Sequence, residues 1–285
     1  METVELGQGR LHYTDTGGSG PVVVLVHGLL VNGSLWRDVV PALAATGARV
    51  VVPALPLGSH PEAMRPDADL TPPGIGRLIS DFIAALDLRE VTLVGNDTGG
   101  AMCQVAATKH GERLARLVLT NCDTHDNFLP PAFRPMQWIA HVPGAVRVLS
   151  QVFRWPSVLA SPLGFGLLAQ RKLDHERLRD WAGPVLADAG ARRDLGKVLR
   201  GIHTRYTLAA AEELRRFGRP ILLAWGDADR FFPISYAERL AAEWPDARLV
   251  RVPGAGAFVP VDQPDQLARL IAEFIGQPSS RAANI

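Results

Sequence analysis

From Val91 to Met102 the chain reads Val-Thr-Leu-Val-Gly-Asn-Asp-Thr-Gly-Gly-Ala-Met, a β-branched run that passes straight into a helical pattern. Joining a strand to a helix without a loop crowds the backbone. The residues two before and two after the turning position must therefore be small, and here they are Gly95 and Gly99. The turning residue, Asp97, is thereby pushed out above the sheet in a strained conformation. A turn of this kind belongs at the carboxyl end of a strand in a parallel sheet.

The rest of the chain fits that architecture. Short apolar runs at 22–26, 49–52, 91–95, 114–120, 220–225 and 248–252 alternate with helical patterns, the sequence form of strands joined by crossover helices. Runs at 3–6 and 10–13 add an edge hairpin, which makes a mostly parallel eight-stranded sheet with helices on both faces. Helices are clearest at 76–86, 99–109, 235–243 and 266–275, with apolar residues three and four apart. After Asn121 the alternation stops, and it resumes near Leu214. The segment between is rich in Trp, Pro and Leu and carries no strand pattern. It is expected to form a helical cap, residues 125–213, inserted after the sixth sheet strand into a core of residues 1–124 and 214–285 and lying over the strand ends where open α/β sheets bind ligands. Residues 278–285 read as a loose tail.

Charge narrows the partners. Thirty Lys and Arg against 29 Asp and Glu leave no long-range field to draw a nucleic acid. The longest apolar stretch, residues 21–31, is broken by His27 and Gly28 and is far short of the roughly 20 residues a bilayer needs. Neither a nucleic-acid nor a membrane partner is expected, only a small-molecule substrate; oligomeric state is not legible. Two isolated cysteines and an acidic amino terminus without a signal-peptide pattern suit a reducing cytoplasm. No cofactor or metal is expected, because the histidines are dispersed and Gly95–Gly100 lacks the lysine of a phosphate loop.

At Asp97, the free N–H groups opening the following helix favour the ionised carboxylate, so a nucleophile or a base is expected there rather than an acid. Upstream, Leu25-Val-His27-Gly28-Leu29-Leu30 closes the third strand. The hairpin, the His-Gly turn, the elbow, the cap region and the late acidic turn together resemble the α/β-hydrolase superfamily. They resemble most its aspartate-nucleophile branch of haloalkane dehalogenases, fluoroacetate dehalogenases and epoxide hydrolases. That resemblance implies that Leu29 and Thr98 supply backbone N–H groups to an oxyanion hole. It also implies that Asp97 attacks carbon to form an ester, which a histidine held by a second carboxylate then helps water to cleave.

Trp225-Gly226-Asp227-Ala228-Asp229 is similar to the turn that holds that second carboxylate, which selects Asp229; Asp123, at the end of the preceding sheet strand, is the alternative position. The resemblance breaks at Gly254-Ala255-Gly256-Ala257-Phe258, where Ala257 stands at the family's histidine. Three readings of Ala257 stand side by side: a replacement of a native histidine, a substitute histidine with His125 best placed, or chemistry that needs none. The tryptophan or arginine that follows the dehalogenase nucleophile is Thr98 here, and of the two cap tyrosines of epoxide hydrolases only Tyr206 is present. Trp138 and Phe258 are expected to line an apolar pocket with His27, Asp123 and His125 near it. The function expected is an enzyme acting on a small apolar molecule through Asp97. The alternatives are a non-hydrolytic lyase, isomerase or cyclase using Asp97 as a base, or a ligand-binding pseudoenzyme.

Overall fold

The computed structural model describes residues 1–162 and 164–277, so the tail expected at 278–285 lies outside the described residues. Eight strands form one sheet in the order β1-β2-β4-β3-β5-β6-β7-β8. They are β1 (Glu2–Leu6), β2 (Gly9–Asp15), β3 (Val22–Val26), β4 (Arg49–Pro53), β5 (Val91–Asp97), β6 (Leu114–Cys122), β7 (Ile221–Gly226) and β8 (Ala247–Val252). β1 pairs with β2 and β2 with β4 antiparallel; every other pair is parallel. The expected α/β-hydrolase sheet is therefore present, edge hairpin included. β3 and β5 sit mid-sheet and are almost wholly buried, as the unbroken apolar run Val-Val-Val-Leu-Val requires of a strand covered on both faces.

In chain order the helices are α1 (Val39–Ala44), α2 (Pro72–Ala85), α3 (Thr98–Lys109), α4 (Arg134–Ile139), α5 (Ala145–Ser150), α6 (Pro156–Leu159), α7 (His175–Ala187), α8 (Ala189–Gly201), α9 (Thr204–Leu214), α10 (Ile234–Glu243), α11 (Val259–Asp262) and α12 (Pro264–Gly276). α1 and α12 pack together on one layer, while α2, α3 and α9 pack as the other. Side-chain oxygens start several of them: Thr71 accepts from the Gly74 N–H ahead of α2, Asp174 from Arg177 N–H ahead of α7, and Asp188 from Ala191 N–H ahead of α8. Among the described residues between β6 and β7 there are helices and turns but no strand; one isolated bridge joins Thr124 and Asn127. α9, which closes that segment, packs on α3, and Trp244 Nε1 at the end of α10 donates to Ala211 O of α9 at 2.8 Å.

This topology gathers the carboxyl ends of four neighbouring strands. The His27–Leu30 turn follows β3, Asp97 ends β5, Asp123 follows β6 and Asp229 follows β7. β5 and β6 both run two residues beyond the apolar pattern, and Asp97 pairs with Cys122 after a bulge at Asn96. Of these extra residues Asn96, Asn121 and Cys122 are buried, so the site sits at the strand ends under the packed cover of the sheet.

Candidate active site

Asp97 has φ 54° and ψ −136°, a conformation that side-chain-bearing residues avoid. Its surroundings enforce it. A Cβ on Gly99 would lie 2.2 Å from His27 O, so helix α3 could not approach the β3 turn with any larger residue there. Across the turn, a Cβ on Gly28 would lie 2.1 Å from Asp97 Oδ2. That glycine lets the Leu29 N–H reach the carboxylate, donating to Oδ2 at 3.1 Å. The Thr98 N–H at the start of α3 also stabilises the anion.

The expectation of a readily ionised Asp97 nevertheless fails. Complete burial raises its pKa more than the two N–H groups lower it, and the nearby charge of Asp229 raises it further, to about 7. The helix terminus acts locally, while the loss of water around the carboxylate comes from everything packed above it.

Two further carboxylates share this end of the sheet. Asp123 is fully buried, with Oδ2 accepting from Thr98 Oγ1 at 3.1 Å and Oδ1 from the Leu129 N–H at 2.9 Å. Burial, and next the charge of Asp97, push its pKa well above the ordinary carboxylate range. Asp229 accepts from Asn121 Nδ2 at 2.7 Å and from the Phe231 N–H at 2.7 Å; burial pushes it up as well. Among the described residues no lysine, arginine or histidine pairs with any of the three. Among the described residues no cluster of His, Cys, Asp and Glu has an arrangement that could hold a metal ion.

Asp97 and Thr98 form part of the wall of a cavity of about 100 Å³, otherwise lined by Leu29, Leu30, Leu129, Phe133, Met136, Phe165 and other apolar groups. An apolar cavity of about 150 Å³ takes a benzene, so this one suits a small ring or a short alkyl chain. Leu30 (φ 59°) and Leu129 (φ 66°) share the positive φ of Asp97, so strained backbone gathers around this cavity.

The other residues singled out in the sequence are placed differently. His27 is buried beneath the turn; its Nε2 accepts from the Leu55 N–H at 3.0 Å, so Nδ1 carries the proton and donates to Gly28 O at 2.9 Å. Burial lowers its pKa to about 4, and it braces the turn as a neutral ring. His125 is no substitute base: its Nε2 pairs with Glu243 Oε2 at 3.0 Å and its Nδ1 with Thr124 Oγ1 at 3.1 Å, away from the cavity wall. Trp138 is 69% exposed and contributes nothing to the cavity. On the same short helix Met136 lines it instead, preceded by Phe133. Phe258 is buried one layer back, edge-on to Trp181 with centroids 5.7 Å apart and next to Phe165.

Ala257 is fully buried, and its carbonyl accepts from Asn96 Nδ2 at 2.7 Å. The loop around it is fixed by a residue that no sequence signal singled out. Asp262 accepts from the Gly256 N–H at 2.8 Å, and from the N–H groups of Gln170 and Arg171 at 2.8 Å each. It therefore ties this loop to the segment that brings Phe165 and Leu168 to the cavity. Asp262→Ala is expected to lower stability by about 2 to 4 kcal/mol, since the buried Gly256 N–H left unpaired costs about 1 to 3 kcal/mol and the N–H groups of Gln170 and Arg171, on exposed residues, lose less because water can replace the carboxylate. The urea midpoint measures this, and a loss below about 1 kcal/mol would mean that water replaces the carboxylate.

Comparison with known proteins gives the family and the fold. The chain is 29% identical to haloalkane dehalogenase 2 of Mycobacterium tuberculosis, over 94% of this chain and 92% of that one. It is 24% identical to the uncharacterized hydrolase YugF of Bacillus subtilis, over 93% and 92%. Among solved structures, the haloalkane dehalogenase DbeA of Bradyrhizobium elkani superposes with a TM-score of 0.79 at 20% identity, covering 96% of each chain. A thermophilic esterase from Thermogutta terrifontis does so with 0.76 at 22%, covering 96% and 98%; both likenesses are of fold. The family model for the alpha/beta hydrolase fold matches residues 21–264, and this chain belongs to that family.

Proposed function

We propose that this chain is an α/β-hydrolase-fold enzyme in which Asp97 attacks the electrophilic carbon of a small, largely apolar substrate, a short alkyl halide being the class suggested by its dehalogenase relatives. The helical segment after β6 acts as its cap. The observation that carries this reading is the hold on Asp97: Oδ2 sits against the Leu29 N–H while the carboxyl group opens on an apolar cavity. In an ester of Asp97, the oxyanion formed by attacking water would reside on the aspartate's own oxygen. Donors belong at one oxygen, leaving the other free to attack. As the new O–C bond forms, the carbon–halogen bond breaks and halide leaves with the electron pair. Burial opposes the carboxylate charge, and that opposition is relieved when the charge departs.

The second half of the reaction lacks its base. A positioned general base contributes typically about 10²- to 10⁴-fold, and at Ala257 there is no imidazole to supply it. The ester is therefore expected to persist. Intact-protein mass spectrometry after incubation with haloalkanes, haloacids, epoxides and esters should find one alkyl adduct per chain, and none with Asp97→Asn. Rapid turnover without an adduct would overturn the stalled ester. Over repeated turnovers, product that never carries oxygen from labelled water would assign Asp97 the role of a base, and binding without any conversion would leave a pseudoenzyme.

A further inference from the structure

Five of the seven large apolar side chains exposed among the described residues fall in one stretch between β6 and β7: Trp138, Val142, Val148, Val152 and Trp155, from 40% to 72% exposed. Val148, Val152 and Trp155 are spaced i, i+4 and i+7 along α5 and the 3-10 turn Gln151–Arg154 that continues it, which keeps them to one side. Phe153 of the same run lines the cavity. The run is thus apolar both toward the cavity and toward solvent, an arrangement at odds with a surface that meets only water.

The charge around this patch has one sign. Residues 127–173 hold Arg134, Arg147, Arg154, Arg171 and Lys172 and no acidic residue at all, although the whole chain is near neutrality. A cleft of about 470 Å³ adjoins Val142 and is lined by His141, Arg147, Arg192, Arg193 and Arg200; Arg193 pairs with the buried Asp194 behind it, while Arg192 and Arg200 donate only to backbone carbonyls and keep their charge uncompensated by an acid. A second copy of this chain would bring like charges together across such a surface. An anionic, partly apolar partner matches both features, and exposed tryptophans flanked by arginines suit the boundary between headgroups and acyl chains.

We infer that this face docks on an anionic phospholipid bilayer, the arginine cleft meeting headgroup phosphates while Trp138, Val148, Val152 and Trp155 enter the interface. Among the described residues no helix is long and apolar enough to cross a membrane, so the attachment is peripheral. It goes beyond the expectation of no membrane partner. That expectation rested on the lack of an apolar stretch long enough to span a bilayer, which does not bear on a peripheral attachment. Because Phe133, Met136 and Phe153 of the same segment line the cavity, docking would also bring the cavity close to apolar molecules dissolved in the lipid.

Co-sedimentation with vesicles of phosphatidylcholine alone, and of phosphatidylcholine with phosphatidylglycerol, tests this at low and high salt. Retention is expected on the anionic vesicles only, weakening as salt screens the surface. Tryptophan emission should shift to the blue, a signal specific to this face because Trp36, Trp181, Trp225 and Trp244 are buried. The double variant Trp138→Ser/Trp155→Ser should lose both the retention and the shift. Arg147→Gln/Arg154→Gln should bind roughly thirtyfold more weakly, at about a factor of five per cation. Both pairs are exposed, so each variant should unfold at the temperature of the native chain. No retention on anionic vesicles at low salt, or equal retention on both lipids, would overturn the inference. So would a dimer in light scattering that the tryptophan pair abolishes.

Discussion

Replacing Ala257 with histidine is expected to speed the breakdown of an Asp97 ester by about 10²- to 10⁴-fold, turning a single alkylation into repeated turnover. The backbone there is already held, by Asn96 Nδ2 on the Ala257 carbonyl at 2.7 Å and by the Phe258 N–H on Leu168 O at 2.8 Å. An imidazole would therefore arrive on a fixed loop. Asp229 lies close enough for its charge to act on Asp97, so a carboxylate that could orient an added ring stands near the nucleophile. Because Ala257 is fully buried, the larger side chain should cost about 1 to 3 kcal/mol in packing, a loss to be read alongside activity. Rapid mixing with a reactive alkyl halide, followed by mass spectrometry over time, separates the steps: the adduct should form as before and then decay. Asp229→Asn in the Ala257→His background should take away most of the gain. An adduct that persists unchanged in Ala257→His would mean that the missing histidine is not what limits the second step.

Much of this site could be read from local rules. The elbow was legible because joining strand to helix without a loop is a steric problem that only glycines at 95 and 99 solve, and the backbone of Asp97 has the strain this demands. Strand cores were legible from their β-branched runs, though not the bulge that extends β5 to Asp97. The short helices α1 and α11 carry too few apolar repeats to stand out. What escaped depends on contacts between distant segments. Nothing beside Asp262 in sequence says that its carboxylate will collect N–H groups from residues 170 and 171. Which side of α4 faces inward depends on what the rest of the chain packs against it, and Trp138 stands in solvent while Met136 lines the cavity. The protonation of Asp97 was misjudged for the same reason, since its helix terminus is local and its burial is not.

Asp97→Asn is expected to make the protein more stable at pH 8 while removing the adduct altogether. The folded-state pKa of Asp97 is raised from 3.8 to about 7, so between those values the native chain holds a proton that the unfolded chain has released. Stability from this group is therefore full below about pH 4, declines as pH climbs, and is lost once pH passes about 7. The shift of about three units corresponds to on the order of 4 kcal/mol at pH 8, or roughly 10 °C in melting temperature for a domain of this size. Melting curves of both proteins from pH 5 to 9 read Asp97 together with the rise its charge imposes on Asp123. The advantage of Asp97→Asn should grow with pH and level off above about 7, whereas a constant difference would show that the carboxylate is not strained by burial. Three buried carboxylates, none paired with a cation among the described residues, are a poor way to stabilise a fold. The native chain tolerates at Asp97 a charge that its own interior opposes, and a reaction that carries that charge away on a leaving group would draw on the same opposition.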